Sequence, residues 1–272
     1  MADDYLLGRD LYGSMRLDAQ HLLWKLYKGY NLHPAISATE DMKIAEIGTG
    51  TGIWLLDVAS QVSKNAQLDG FDLSEDQFPH RSAWPENVTF RTLDAFGEVP
   101  EELVHRYDVV HLRFWCCVVR NNDPSGLIRH AERLLKPGGY IQWEDADVGK
   151  TLVRGDVAER FRQIVKPIFV AVNFEYGVSW LSDLKDRVQQ HGLDVLESEL
   201  GTIPPTLVPL CTSTYLTGHM ELFKAASNFP GLDIPSESAR MKLLVELMTE
   251  VKRGAAYHWL PITLLAQKPL VY

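Results

Sequence analysis

Apolar positions along the chain alternate between two spacings. Short runs dominate at "KIAEIG", "AQLDGFDLS", "VTFRTLDA", "YDVVHLRF" and "YIQWEDAD", which read as five strands. Between them "IWLLDVASQV" and "SGLIRHAERLLKPGG" carry helical spacing. The second places Leu127, Ile128, Ala131, Leu134 and Leu135 on one face, and Pro137, Gly138 and Gly139 mark where it stops. Ahead of the first strand, residues 12–29 set Leu17, Leu22, Leu23 and Leu26 at mostly helical spacing and predict a helix. Strands alternating with helices predict an α/β fold, with a mostly parallel sheet covered on both faces. Past Asp147 the pattern changes. Residues 156–171, 179–191 and 212–254 read as helical, the last broken by "NFPGLDIPSES". "LDVLESELGT" reads as a strand and "HWLPITLLAQKP" as a closing strand in which Pro261 predicts an edge or a bulge. With no repeat, low-complexity tract or clear linker, residues 1–272 are expected to form a single domain with helical insertions.

Composition narrows this little. The 272 residues are 46% hydrophobic, enough for a real core, and the formal net charge is −9. An acidic chain argues against non-specific nucleic-acid binding, which uses clustered Lys and Arg. Cys116, Cys117 and Cys211 make no CxxC pair and no metal-ligand spacing, so a reduced thiol set and no metal are expected. The opening "MADDYLLGRD" has acids where a signal peptide has basic residues, and no apolar run approaches the ~18 residues of a membrane span. The expectation is a soluble cytoplasmic protein with no membrane partner.

Candidate chemistry starts at "AEIGTGTG". Gly48, Gly50 and Gly52 lie between the first strand and its helix, at the carboxyl edge where open α/β sheets bind ligands. Glycines there let a ligand approach the backbone. Asp72 ends the second strand, 24 residues after Gly48, and Asp94 ends the third. A carboxylate at the first position suits ribose hydroxyls; one at the second suits an adenine amino group. Taken singly, each acid also fits a solvated strand end or a helix N-cap. The ordered set points to a nucleoside, in NAD or in S-adenosylmethionine. S-adenosylmethionine is favoured. The last glycine comes one place too early for GxGxxG, no tyrosine has Lys four residues on, and Glu46 before the glycines suits a cationic tail and repels a pyrophosphate.

These stretches resemble class I S-adenosylmethionine-dependent methyltransferases: "AEIGTGTG" the first motif, "FDLS" the ribose acid, "LDA" the adenine turn and "RLLKPGGYIQWED" the lead into the fifth strand. More narrowly, "RLDAQHLLWKL", "YDVVHLRF" and "AYHWLPITLLAQKP" resemble the fungal secondary-metabolism methyltransferases that include regulator-type enzymes of natural-product clusters. The resemblance implies a Rossmann-like seven-stranded sheet with an antiparallel last strand. Residues 1–40 would form a helical lid, 41–150 the cofactor-binding core, and 151–272 the substrate-capping helices and closing strands. By position, Glu46, Gly48, Thr49, Gly50 and Gly52 would face the methionine part. Asp72 and Leu73 would hold the ribose, and Asp94 and Ala95 the adenine. His111 and Arg113 would stand near the methyl group, and Arg16 would reach the cofactor carboxylate. S-adenosylhomocysteine would be the product.

Methyl transfer is an in-line displacement whose rate comes largely from positioning, so a base is needed only if the nucleophile must lose a proton. His111 is the candidate, with Glu144 and His258 behind it. The fourth strand lacks the Asn/Asp-Pro-Pro-aromatic motif of nucleobase methyltransferases, and no carboxylate cluster suggests Mg²⁺. A small organic acceptor is therefore expected, methylated on O, N or S. Trp115, Phe174, Tyr176 and Trp180 are the aromatic candidates for its wall, among a wider set with Trp143, Tyr215 and Trp259. Two other readings stand: an enzyme that uses the bound sulfonium as an electrostatic aid to ring formation or rearrangement, and a regulatory protein that binds the cofactor and a partner. The oligomeric state is not legible.

Overall fold

In the computed structural model, which describes residues 7–171, 180–226 and 231–270, the alternating pattern becomes one seven-stranded sheet. Helix α1 (Leu11–Lys28) comes first, then β1 (Lys43–Ile47), α2 (Ile53–Ala59), β2 (Gln67–Asp72), β3 (Val88–Thr92) and β4 (Tyr107–Arg113). There follow α3 (Ser125–Leu134), β5 (Leu135–Arg154), α4 (Asp156–Ala171) and α5 (Leu184–Gln190). β6 (Asp194–Leu200), α6 (Val208–Ala226), α7 (Glu237–Val251) and β7 (Ala256–Gln267) complete the fold. The strand order is β3-β2-β1-β4-β5-β7-β6, with β7 antiparallel to both neighbours and the other pairs parallel. The predicted architecture, antiparallel closing strand included, is the observed one.

The order reverses direction between β1 and β4, so the carboxyl ends of β1 to β4 open a crevice at the switch point. Beneath it Ile44, Ala45, Val109, Val110 and Leu112 are fully buried on both sheet faces, as central parallel strands require.

Two elements differ from their expectation in instructive ways. α1 was expected as a helix from Leu17, Leu22, Leu23 and Leu26 at mostly helical spacing. It buries Arg16, His21, Leu23 and Trp24, and leaves Leu22 and Leu26 55% and 61% exposed. The helix lies across the polar rim of the sheet, so its inward face is chosen by charge partners. β7 is an interior strand, yet it tolerates Pro261. The Pro261 carbonyl accepts from the Gly201 N–H at 2.8 Å, which turns the ring nitrogen toward the β6 side. There β6 has just ended at Leu200, so no ladder bond to β5 is lost.

Candidate functional site

The rim is built from strand ends. After Ile47 the chain turns through Gly48 and Gly50, both at positive φ, into α2. At Gly50 a Cβ would stand 2.7 Å from Leu17 Cδ1 of α1, so only glycine admits this close approach of lid and loop. Gly52 answers a different need: its missing Cβ makes room for the Phe90 ring, which a side chain would meet at 2.4 Å. Hence the third glycine serves packing, and the first two border a cavity of about 310 Å³.

Four of the loop's backbone donors are spent within the protein. The Gly48 and Thr49 N–H groups donate to the Phe71 carbonyl at 2.8 and 2.9 Å, and the Gly52 N–H donates to the Thr49 carbonyl. The Gly50 N–H donates to Asp72 Oδ2 at 2.9 Å. A pyrophosphate cradle needs such donors free. A phosphate-free cofactor with a cationic end does not need these four, so their use within the protein is compatible with the sulfonium nucleoside. Burial raises the Asp72 carboxyl above its ordinary value, against the pull of the Gly50 and Ser74 N–H groups. Asp94 Oδ1 caps its own turn by accepting from Phe96 N–H at 2.9 Å. Leu73 and Phe96 also line the cavity, yet are 53% and 48% exposed, apolar surface of the kind a purine would cover.

The cavity wall brings together Gly48, Gly50, Asp72, Leu73, Asp94 and Ala95, joined by Arg16, Arg113 and Trp115. Glu46, Thr49 and His111 lie behind it. Glu46 is 5% exposed and accepts from Thr49 Oγ1 at 2.5 Å, bracing the loop from below. The His111 ring is fully buried, stacked on Trp54 at 3.6 Å between Glu46 and Glu144. That position keeps it from any acceptor in the cavity. The reason is depth along the strand: His111 shares its face of β4 with Arg113 but lies two residues further from the rim, packed on Trp54 of α2. Trp180 packs on Trp143 at 5.5 Å, away from the cavity. Phe174 and Tyr176 lie outside the described residues. Neither Glu144, in the core with His111, nor His258, whose Nδ1–H donates to the Trp259 carbonyl, lines the cavity.

Arg113 ties rim to lid. Its Nε donates to Glu144 Oε2 at 2.8 Å, its Nη2 meets the same oxygen, and its Nη1 donates to His21 Nδ1 at 3.2 Å. Because Arg can only donate, His21 accepts at Nδ1 and donates from Nε2 to Asp57, which Lys25 also holds. Burial would raise Glu144, but Arg113 and His111 outweigh it and hold the carboxyl at about 2. On the opposite face of β5, burial pushes Asp145 to about 6, although it accepts from the Trp115 and Ala146 N–H groups and Trp143 Nε1. Arg16 Nε donates to Glu221 Oε1 at 2.8 Å, and Glu221 Oε2 accepts from the Gly8 N–H at 2.7 Å. α1 is thus clamped to α6.

Gln20, Phe96, Cys117 and Arg120 line the cavity as well, and sequence spacing did not single them out as rim residues; Trp259, of the wider aromatic set, lines it too. Phe114 had a local signal only in hindsight: a bulky residue at φ 58, a strained backbone of the kind that gathers at functional rims. A second, smaller cavity of about 40 Å³ shares Arg16, Gln20, Cys117 and Trp259 with the first and continues it toward Phe169, Tyr215 and His219.

Comparison with known proteins adds a family. A family model described as a methyltransferase domain matches residues 30–198. Methyltransferase grgD of Penicillium is 36% identical over 140 residues, 48% of this chain and 48% of that protein. N-methyltransferase tcpN of Claviceps purpurea is 31% identical over 169 residues, 58% of each. The chain spans about half the length of the curated relatives it matches. Among solved structures, the Haemonchus contortus phosphoethanolamine N-methyltransferase 2, in complex with phosphomonomethylethanolamine and S-adenosylhomocysteine, superposes with a TM-score of 0.53 at 20% identity. It covers 94% of this chain and 52% of that one, and shows a shared fold.

Proposed function

We infer, for a chain that belongs to the methyltransferase domain family, that it moves a methyl group from S-adenosylmethionine to a small organic acceptor, on nitrogen in preference to oxygen or sulfur. The observation that carries the reading is the cavity at the carboxyl ends of β1 to β3, walled by Gly48, Gly50, Asp72, Leu73, Asp94 and Ala95. The preference for nitrogen rests on relatives such as tcpN, an N-methyltransferase. Asp72 would take the ribose hydroxyls, and Asp94 with the Ala95 backbone the adenine edge. Arg16 and Arg113 would face the carboxylate end.

The bound cofactor supplies an electrophilic methyl group on a good leaving group. The chain's own task is placement and exclusion of water. α1 covers the rim, and Trp115 sets the wall beside Gly48, where a Cβ would meet it at 3.0 Å. An amine acceptor that enters neutral needs no side-chain base at the methyl, which agrees with the withdrawal of His111 into the core. Residues 1–40 act as lid and 151–272 as cap around one catalytic unit. The test is calorimetry with S-adenosylmethionine and S-adenosylhomocysteine, followed by mass spectrometry of candidate amines. Binding of both and a methyl gain on the acceptor support the reading. No heat with either removes it.

A further inference from the structure

The small cavity continues from the rim between α4, α6 and β7, and its wall is aromatic: Phe169, Tyr215 and Trp259, with His219 and Leu222. His219 is 3% exposed and ringed by Phe161 at 5.2 Å, Tyr257 at 5.2 Å, Trp259 at 5.8 Å and Phe169 at 6.0 Å. Its Nδ1 stands 2.8 Å from the Tyr215 carbonyl of its own helix. A carbonyl only accepts, so Nδ1 carries the proton and Nε2 presents a lone pair. Nδ1 turns back to the helix, and the unprotonated Nε2 is a buried atom of a residue that forms part of the cavity wall. It has no hydrogen-bond partner among the described residues. Burial lowers the imidazole to about 4, so the ring is neutral near pH 7 and that lone pair stays available. A buried acceptor left unpaired carries a desolvation penalty that a ligand donor would relieve.

We propose that His219 selects the methyl acceptor: an aromatic or apolar group enters the deep cavity and donates one N–H or O–H to His219 Nε2. This rests on the methyl-transfer reading and names the substrate class for the same site. The aromatic part of the wall would favour apolar groups, and the His219 lone pair would disfavour molecules with no donor; the polar side chains of Arg16 and Gln20 lie where the small cavity joins the larger one. His219 thereby acts as a specificity residue that fixes the acceptor's orientation relative to the rim.

Two matched probes test this with the full chain saturated with S-adenosylhomocysteine. Phenol and fluorobenzene are close in size and differ in the donor. Nitrogen-15 NMR of labelled histidine, with the His219 signals identified by their loss in His219→Phe, is the readout. Phenol is expected to shift the Nε2 resonance toward its hydrogen-bonded value and to bind roughly tenfold tighter than fluorobenzene. The preference is expected to vanish in His219→Phe. No Nε2 shift up to the solubility of phenol would overturn the proposal. So would equal binding of the two probes, as with a resident water on Nε2, or a preference that survives in the variant. Should His219→Phe not fold, His219→Leu takes its place both for the signal assignment and for the loss of preference. Failure of S-adenosylhomocysteine to bind strikes the methyl-transfer reading instead, and leaves the probe preference intact.

Discussion

Asp72 carries two loads: it holds the Gly50 N–H and, on the proposed reading, the ribose. Asp72→Ala is expected to weaken S-adenosylmethionine about 10- to 100-fold, the worth of one or two hydrogen bonds to a charged group, while circular dichroism stays near wild type. Unchanged affinity in calorimetry would remove the ribose assignment. His219 makes a residue-scale claim about pH. Its folded value of about 4 lies below the ordinary 6.5, so the unfolded chain binds the proton first as pH falls. The stability this contributes is complete above 6.5 and is lost as pH drops through about 4. The gap is worth about 3 kcal/mol for a fully buried ring. His219→Phe should remove that share of the pH slope, read from urea midpoints between pH 7 and pH 4. An identical slope in the variant would show that the ring titrates as if exposed.

β5 sets two carboxylates side by side in sequence and on opposite faces of the sheet. Glu144 faces Arg113 and His111, and is held at about 2; Asp145 faces backbone donors and Trp143, and is pushed to about 6. The contrast shows that a guanidinium outweighs burial where neutral donors do not. Glu144→Gln strips the charge opposite Arg113 and is expected to cost about 3 kcal/mol at pH 7. Stability from Glu144 is present above its ordinary 4.5 and disappears as pH falls through about 2, so the deficit should shrink in acid. Chemical denaturation at pH 7 and pH 3 checks both, and a deficit independent of pH would refute the ion-pair account. Strands were legible because each is a local apolar run, and strand-end glycines and acids sit where a parallel sheet must place them. Side-chain depth was less legible. The family resemblance put His111 near the methyl group, but its place two residues below Arg113 leaves it in the core, and Glu46 lies beneath the loop. His219 carried no signal at all: its partners come from α4 and β7, far along the chain, and a lone helical histidine looks the same whether it binds or packs.

At the scale of the molecule, α1 acts on the proposed reading as a lid over the rim, and charge holds that helix in place. α1 reaches the sheet through Arg113, His21 and Asp57, and reaches α6 through Arg16 and Glu221. Glu221 is the joint, since its second oxygen holds the Gly8 N–H, so one carboxylate fixes both α1 and the segment before it. Neither cavity has Glu221 in its wall, which separates closure from ligand contact. Glu221→Ala leaves the largely buried Arg16 without that carboxylate and should favour the open lid. Because open states release ligand, the dissociation rate of S-adenosylhomocysteine should rise about 10- to 100-fold, on the scale of a broken, partly buried ion pair. Glu221→Gln keeps an acceptor for the Gly8 N–H and for Arg16 Nε, and should recover most of the slow release. Stopped-flow fluorescence can follow this, because Trp115 borders the cavity. Equal rates in wild type and both variants would mean that closure of α1 does not govern release. The seal would then lie with Leu17, whose methyl fills the space that Gly50 leaves open.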